Sequence, residues 1–424
     1  MTIRRDVAVV GGGVAGLSAA AVAARAGSTV AVVEAGPVGG RARTTERDGF
    51  RLNQGPHALY LGGAFQRLLT SLGISRPGGP PALDRARAWH AGRTEHLPIG
   101  GASLLRSRVL GARGKVAFAR LTGQLGRFDA ASLANVTVED WITSQRLPAD
   151  AAALLRMLVR LSTYANAPDL LSADAAVEQL RLAGEGVRYL DRGFQEAVDG
   201  LAAVARTNGA TVRQSRRVTA VRADGPDWVV TTNDAEILAS TVVLAAGGPA
   251  VAARLLGEDP AGWVEAAGPP VEAACLDLGL RREADPPILL GIEEPLYLST
   301  HAPPAALAPD GHTLVAVMRY LTPGEALDPD AARSQLRQHA ARAGVREGDI
   351  VLERYLHRMR VAHGMPRAAS GGLAGRPTVA VPGRPGLFVA GDWVGDTGLL
   401  SDAAAASGAA AAVAARLYMS AVAA

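Results

Sequence analysis

The chain opens on a short unbroken apolar run, Val7-Ala-Val-Val10, closed by Gly11-Gly-Gly13. An apolar run of this length without alternation predicts a strand buried on both faces. The alanine-rich segment after Gly13 predicts a helix ending near Gly27. Thr29-Val-Ala-Val-Val33 predicts a second buried strand, so residues 6–34 read as a βαβ start. Gly39–Thr44 reads as a loop or helix start, Arg47–Leu52 as a short strand, and Gly55-Pro-His57 as a turn. Residues 64–72 predict a helix stopped by Gly73. The run Arg76-Pro-Gly-Gly-Pro-Pro81 marks a boundary. Residues 102–190 look mainly helical, and 193–208 predict one more helix. A β-rich block follows: Ala210–Arg213, Arg217–Val221, Trp228–Thr232 and the buried strand Ser240–Gly247. Residues 270–350 mix strands (Ala274–Leu280, Leu296–His301, Leu314–Tyr320) with a helix at 329–343. The buried strand Gly386–Asp392 stops at Gly-Asp, and Asp402–Leu417 predicts the last helix.

The N-terminal glycines fall at 11, 13 and 16, the G-x-G-x-x-G spacing. Gly11 allows a tight turn, Gly13 lets a pyrophosphate approach the backbone, and Gly16 lets the helix pack on the strand. The free N–H groups of that helix start, with Val14 and Ala15, would face phosphates. Glu34, with Ala35 beside it, ends the second strand, where a carboxylate can bind ribose hydroxyls. The unit is a dinucleotide site. The C-terminal Gly-Asp strand must meet it, because each alone is half a site. The middle of the chain is then an insertion, and the fold class is α/β. The expected division is 1–80, 192–255 and 352–424 for the nucleotide domain. It leaves 81–191 and 256–351 for a substrate domain, with 102–190 as its helical part.

Composition narrows this modestly. The 424 residues, 48% hydrophobic and 20% charged, suit a globular chain with a large core. The net charge of +4 comes from arginines spread along the chain, with Lys115 the single lysine, which argues against a nucleic-acid partner. One local stretch, Arg106–Arg127, is basic with a helical look. It reads either as a solvated helix face or as a membrane or partner patch. Cys275, the single cysteine, excludes an intrachain disulfide, a CxxC pair and a thiolate zinc site, and no metal-ligand cluster follows from spacing. A cytoplasmic location is expected. Ala403–Ala415, ended by Arg416, reads as a buried helix and not a membrane span.

Four separated motifs now stand in order: Val9–Leu17, Gly39-Gly-Arg41 with Thr44, Gly55-Pro56, and Leu387–Trp393 followed by a helix carrying Ser407-Gly408. They resemble the superfamily of FAD-dependent amine oxidases, phytoene desaturases and protoporphyrinogen oxidases. The resemblance implies FAD in a Rossmann-like, glutathione-reductase-type domain with an inserted α+β substrate domain. It implies that Gly40 and Arg41 approach the phosphates and that Gly55 and Pro56 lie against the isoalloxazine. Val218 would meet the adenine through its backbone, and Gly391 and Asp392 would bind the ribitol and phosphate region. Leu399 and Leu400 would precede a helix whose N-terminus points at the flavin pyrimidine.

The sequence also departs from the family pattern. The lysine that amine oxidases often place beside the flavin is absent from its expected motif, and no aromatic pair for an amine is evident. Trp393, after Gly-Asp, is similar to desaturase relatives. Asp402 stands where those relatives often carry glutamate, and Ala403 where glycine is common. No second G-x-G-x-x-G follows a strand, so no nicotinamide site is visible. The resemblance therefore implies an oxidoreductase that takes a hydride from a fairly apolar small molecule, an isoprenoid or secondary metabolite. Oxygen or a quinone would reoxidise the flavin. Alternatives are an amine or protoporphyrinogen-type oxidase, a flavin-dependent isomerase without net redox, and a non-catalytic escort-like relative. Peripheral membrane contact is compatible with each. The candidate catalytic residues are His57, a proton carrier or a packed loop histidine, and Trp393. Tyr297, Ser299 and His301 share one strand face, lining a pocket or covering the sheet. His363 precedes the last strand as a further candidate.

Overall fold

The computed structural model describes residues 3–423 and places its longest strands in two seven-stranded sheets. In the first, Ile3–Val10 lies between Val30–Val33 and Glu236–Leu244, parallel to both. Thr211–Arg213 extends one edge, in parallel with Val30–Val33. On the other side Asp227–Thr232 and Val218–Asp224 add antiparallel strands, and Leu387–Val389 joins Glu236–Leu244 in parallel. The run Val7–Val10 is buried throughout, as an apolar strand covered on both faces must be. Ala8–Val10 pair with Val242–Leu244, which pair in turn with Leu387–Val389. The first and last strands therefore meet through one shared central neighbour.

Helix Val14–Arg25 covers this sheet and packs against helices Gln195–Thr207 and Leu400–Ala423. Small residues let the backbones approach closely. A Cβ added at Gly408 would lie 2.2 Å from the Ala15 carbonyl oxygen. The final helix runs longer than the expected 402–417. Among the described residues it is the one helix long and apolar enough to cross a membrane. Its residues Ala403–Ala405, Ala411, Ala412 and Ala415 are buried in the protein.

The second sheet runs in the order Ile350–Ala362, Val271–Leu280, Thr313–Tyr320, Leu296–Ala302, Ile288–Gly291, Arg87–His90, Arg93–His96. Ala274, Leu276 and Leu278 face helix Pro329–Arg342, while Ala273 and Cys275 face helix Ala149–Thr163. This is the period of two that a strand imposes. The boundary expected at 352 falls inside Ile350–Ala362, a strand the sequence reading missed because arginines and glutamates obscure its alternation. The hairpin 87–96 was missed as well. The block 102–190 is mainly helical but ends in the strand Val187–Leu190, which pairs with Leu59–Tyr60 and Gly78–Gly79. The short strand expected at 47–52 is a hairpin of Thr44–Arg47 and Phe50–Asn53, turning at Asp48-Gly49 where both residues have positive φ.

Replacing Gly408 by alanine tests the close helix contact. Helix propensity favours alanine by about 1 kcal/mol, but the clash is with backbone, and overpacking costs about 1–3 kcal/mol. Gly408→Ala is expected to lower the midpoint of thermal unfolding; an unchanged or raised midpoint contradicts the packing.

Candidate cofactor and substrate site

A cavity of ≈ 510 Å³ runs between the two sheets, from Glu34 and Arg217 past the N-terminal glycines to His57 and Tyr164. Gly11, with φ +109°, sits so close to Ala245 that a Cβ would lie 2.6 Å from its carbonyl oxygen. Gly16 is closer still to the Gly11 carbonyl, at 1.9 Å for an added Cβ, so it packs the helix and does not line the cavity. Helix Val14–Arg25 starts at Gly13 with no side-chain cap. Its first N–H groups are therefore available at the cavity wall, where Val14 and Ala15 lie. Glu34 accepts from Gly12 N–H at 2.7 Å and Gly36 N–H at 2.9 Å, which fixes its carboxylate beside Ala35.

Gly40 and Arg41 form the opposite wall. Arg41 donates to Asp392 Oδ2 at 2.7 Å and to the Val361 carbonyl at 2.7 Å. Asp392 also accepts from the His363 backbone N–H at 3.0 Å, and His363 Nδ1 lies 3.2 Å from its Oδ1. Burial alone would raise the Asp392 carboxyl. Arg41 and His363 more than reverse this and hold it well below the usual carboxylate range. Arg376, buried beneath the same loop, donates to the Asp392 and Gly398 carbonyls.

At the other end, Pro56 and His57 line the cavity, and Gly55 supports their turn with φ +76°. His57 Nδ1 lies 3.0 Å from the Gly55 carbonyl, which places its proton there and leaves Nε2 as an acceptor. Burial, with Arg41 nearby, lowers its pKa, so the ring is neutral at neutral pH. Trp393 is buried against Trp263 and reaches the cavity wall beside Gly391. Leu400 lines the cavity, with φ +55°, whereas Leu399 is buried behind it in a core shared with Val159 and Leu171. Val218 does not line the cavity; its neighbour Arg217 does. Tyr297, Ser299 and His301 share a face as expected, but they form a buried network with Tyr189 and do not line the cavity. Tyr60, Tyr164, Phe194 and Met359 were missed, because nothing local marks residues gathered from four separate elements.

The open glycine loops, the uncapped helix start and the fixed Glu34 carboxylate fit an elongated dinucleotide. Fold and site define a dinucleotide-dependent oxidoreductase. The family model for flavin containing amine oxidoreductases matches residues 14–416, and the chain belongs to that family, with FAD as its cofactor. The chain is 45% identical over 69 residues to a carotenoid 3,4-desaturase from Haloarcula japonica, a match covering 16% of this chain and 14% of that protein. It is 45% identical over 76 residues to a phytoene desaturase from Cercospora nicotianae, covering 18% and 12%. A solved putrescine oxidase variant shares the fold, with a TM-score of 0.74 and 17% identity over 98% of this chain and 100% of that one.

Asp402, beside the cavity residue Ser401, is buried and accepts from Phe65 N–H at 2.7 Å, while its Oδ2 meets no donor among the described residues. Burial pushes its pKa up to about 6. The unfolded carboxyl titrates near about 3.9. Between these values the folded state binds more protons, so stability falls as pH rises through this window. Asp402→Asn keeps an acceptor for Phe65 and removes the charge. It is expected to flatten the fall by on the order of 1–3 kcal/mol. Denaturant unfolding across the window checks this; a variant with the wild-type slope contradicts it.

Proposed function

We propose that this oxidoreductase dehydrogenates or desaturates a fairly apolar small molecule of the isoprenoid or secondary-metabolite kind. One observation carries the reading. Among the described residues, Glu34 and Asp392 are the carboxylates lining the cavity, and both are engaged by protein donors. No free carboxylate is left there to receive an ammonium group. Pro56, Tyr60, Tyr164, Met359 and Leu400 supply apolar and aromatic surface around His57. The short matches to carotenoid and phytoene desaturases support the same reading.

Bound FAD supplies the two-electron acceptor for a hydride leaving a substrate carbon. The apolar wall binds the substrate and excludes water, and His57 Nε2 offers an acceptor for a proton. Oxygen or a quinone is the proposed final acceptor. The test is anaerobic reduction of the purified, FAD-loaded protein, followed at the flavin band near ~450 nm. Isoprenoid or polyene substrates are expected to bleach it and amines to leave it unchanged. Bleaching by amines, with peroxide released in air, overturns the proposal in favour of an amine oxidase.

A further inference from the structure

From Leu97 to Phe128 the chain carries six basic residues and no acidic one, against a net charge of +4 for all 424 residues. The rest of the protein is therefore slightly acidic, and its positive excess is concentrated here. The fold places the segment on the surface as helices Gly101–Arg106 and Ala112–Gln124. The second helix is amphipathic. Gly114, Phe118 and Leu121 point inward, and Phe118 joins Leu154 and Met157 of helix Ala149–Thr163 in one core. Arg113, Val116 and Arg120 occupy its exposed face at helical spacing. Lys115 Nζ donates to the Leu105 carbonyl at 2.8 Å and ties the two helices together. Leu105 is 77% exposed and Val116 72%, with Ile99 at 38%. Glu95 and Asp129 flank the segment, and Asp150, against its second helix, is occupied by the Gly111 N–H at 2.7 Å.

We propose that this face docks on an anionic lipid bilayer. Leu105 and Val116 would enter the headgroup boundary, while Arg106, Arg113 and Arg120 meet lipid phosphates. Exposed apolar side chains with exposed arginines on the same two helices suit an interface that is apolar below and negatively charged above. A solvated helix face has no need of exposed Leu105 and Val116, and an acidic protein would use the charge alone. The face lies outside the cavity and does not rest on the substrate proposed above.

The experiment is co-sedimentation of the FAD-loaded protein with phosphatidylglycerol vesicles and with phosphatidylcholine vesicles. Binding is expected to the former, weakened by salt. Arg106→Glu/Arg113→Glu/Arg120→Glu should reduce it by at least about tenfold. Leu105→Ser/Val116→Ser should reduce it while leaving the salt dependence. Retained flavin absorbance shows that each variant is folded. Equal binding to both lipids, no binding to either, or unchanged binding by the charge variant overturns the proposal. So does salt-sensitive binding to polyglutamate without vesicle binding, which would indicate an acidic protein partner.

Discussion

Arg41 and Asp392 lie 351 residues apart and meet at 2.7 Å, across the cavity that the rest of the structure surrounds. Asp392 is 3% exposed, and a buried carboxylate without a partner would be costly. Arg41 and His363 meet that requirement from two different loops. The pair therefore does more than join two side chains. It holds the glycine-rich loop at 39–41, the end of the strand Ile350–Ala362 and the Gly-Asp turn at one distance from one another.

The central sheet makes that meeting geometrically available. Glu236–Leu244 lies between the first and last strands, so the glycine turn after Val10 and the Gly-Asp turn after Val389 open at the same edge. Ligands bind at such strand ends in open α/β sheets. The close packing of alanine-rich helices behind the sheet then fixes where the helix N-terminus at Gly13 points.

The second sheet and helical block supply the other wall. Tyr164 illustrates how. It ends helix Ala149–Thr163 with φ +62° and brings its hydroxyl within 3.4 Å of the Pro56 carbonyl. A helix of the block 102–190 thus touches the turn at Pro56. The cavity along this seam carries charged and glycine-rich loops at one end and aromatic surface at the other.

The glycine-rich end of the cavity was legible in the sequence because its requirements are local. Gly11 needs positive φ, Gly13 an open backbone, and Glu34 the end of an apolar strand, and each leaves a mark within a few residues. The aromatic end of the cavity was not legible. Tyr60, Phe194 and Met359 look like ordinary core residues until distant elements bring them to one cavity. Leu399 shows the converse, since it lies next to the lining residue Leu400 and a shift of one position turns its side chain into the core. The strand Ile350–Ala362 escaped detection because its charged positions pair across the sheet, as Arg354 does with Asp277. Sequence alone determined the dinucleotide-type turn and the strand-helix-strand order of residues 6–34, both written in short-range backbone constraints. Tertiary structure decided which side chains line the rest of the cavity, because that depends on long-range packing between the two sheets.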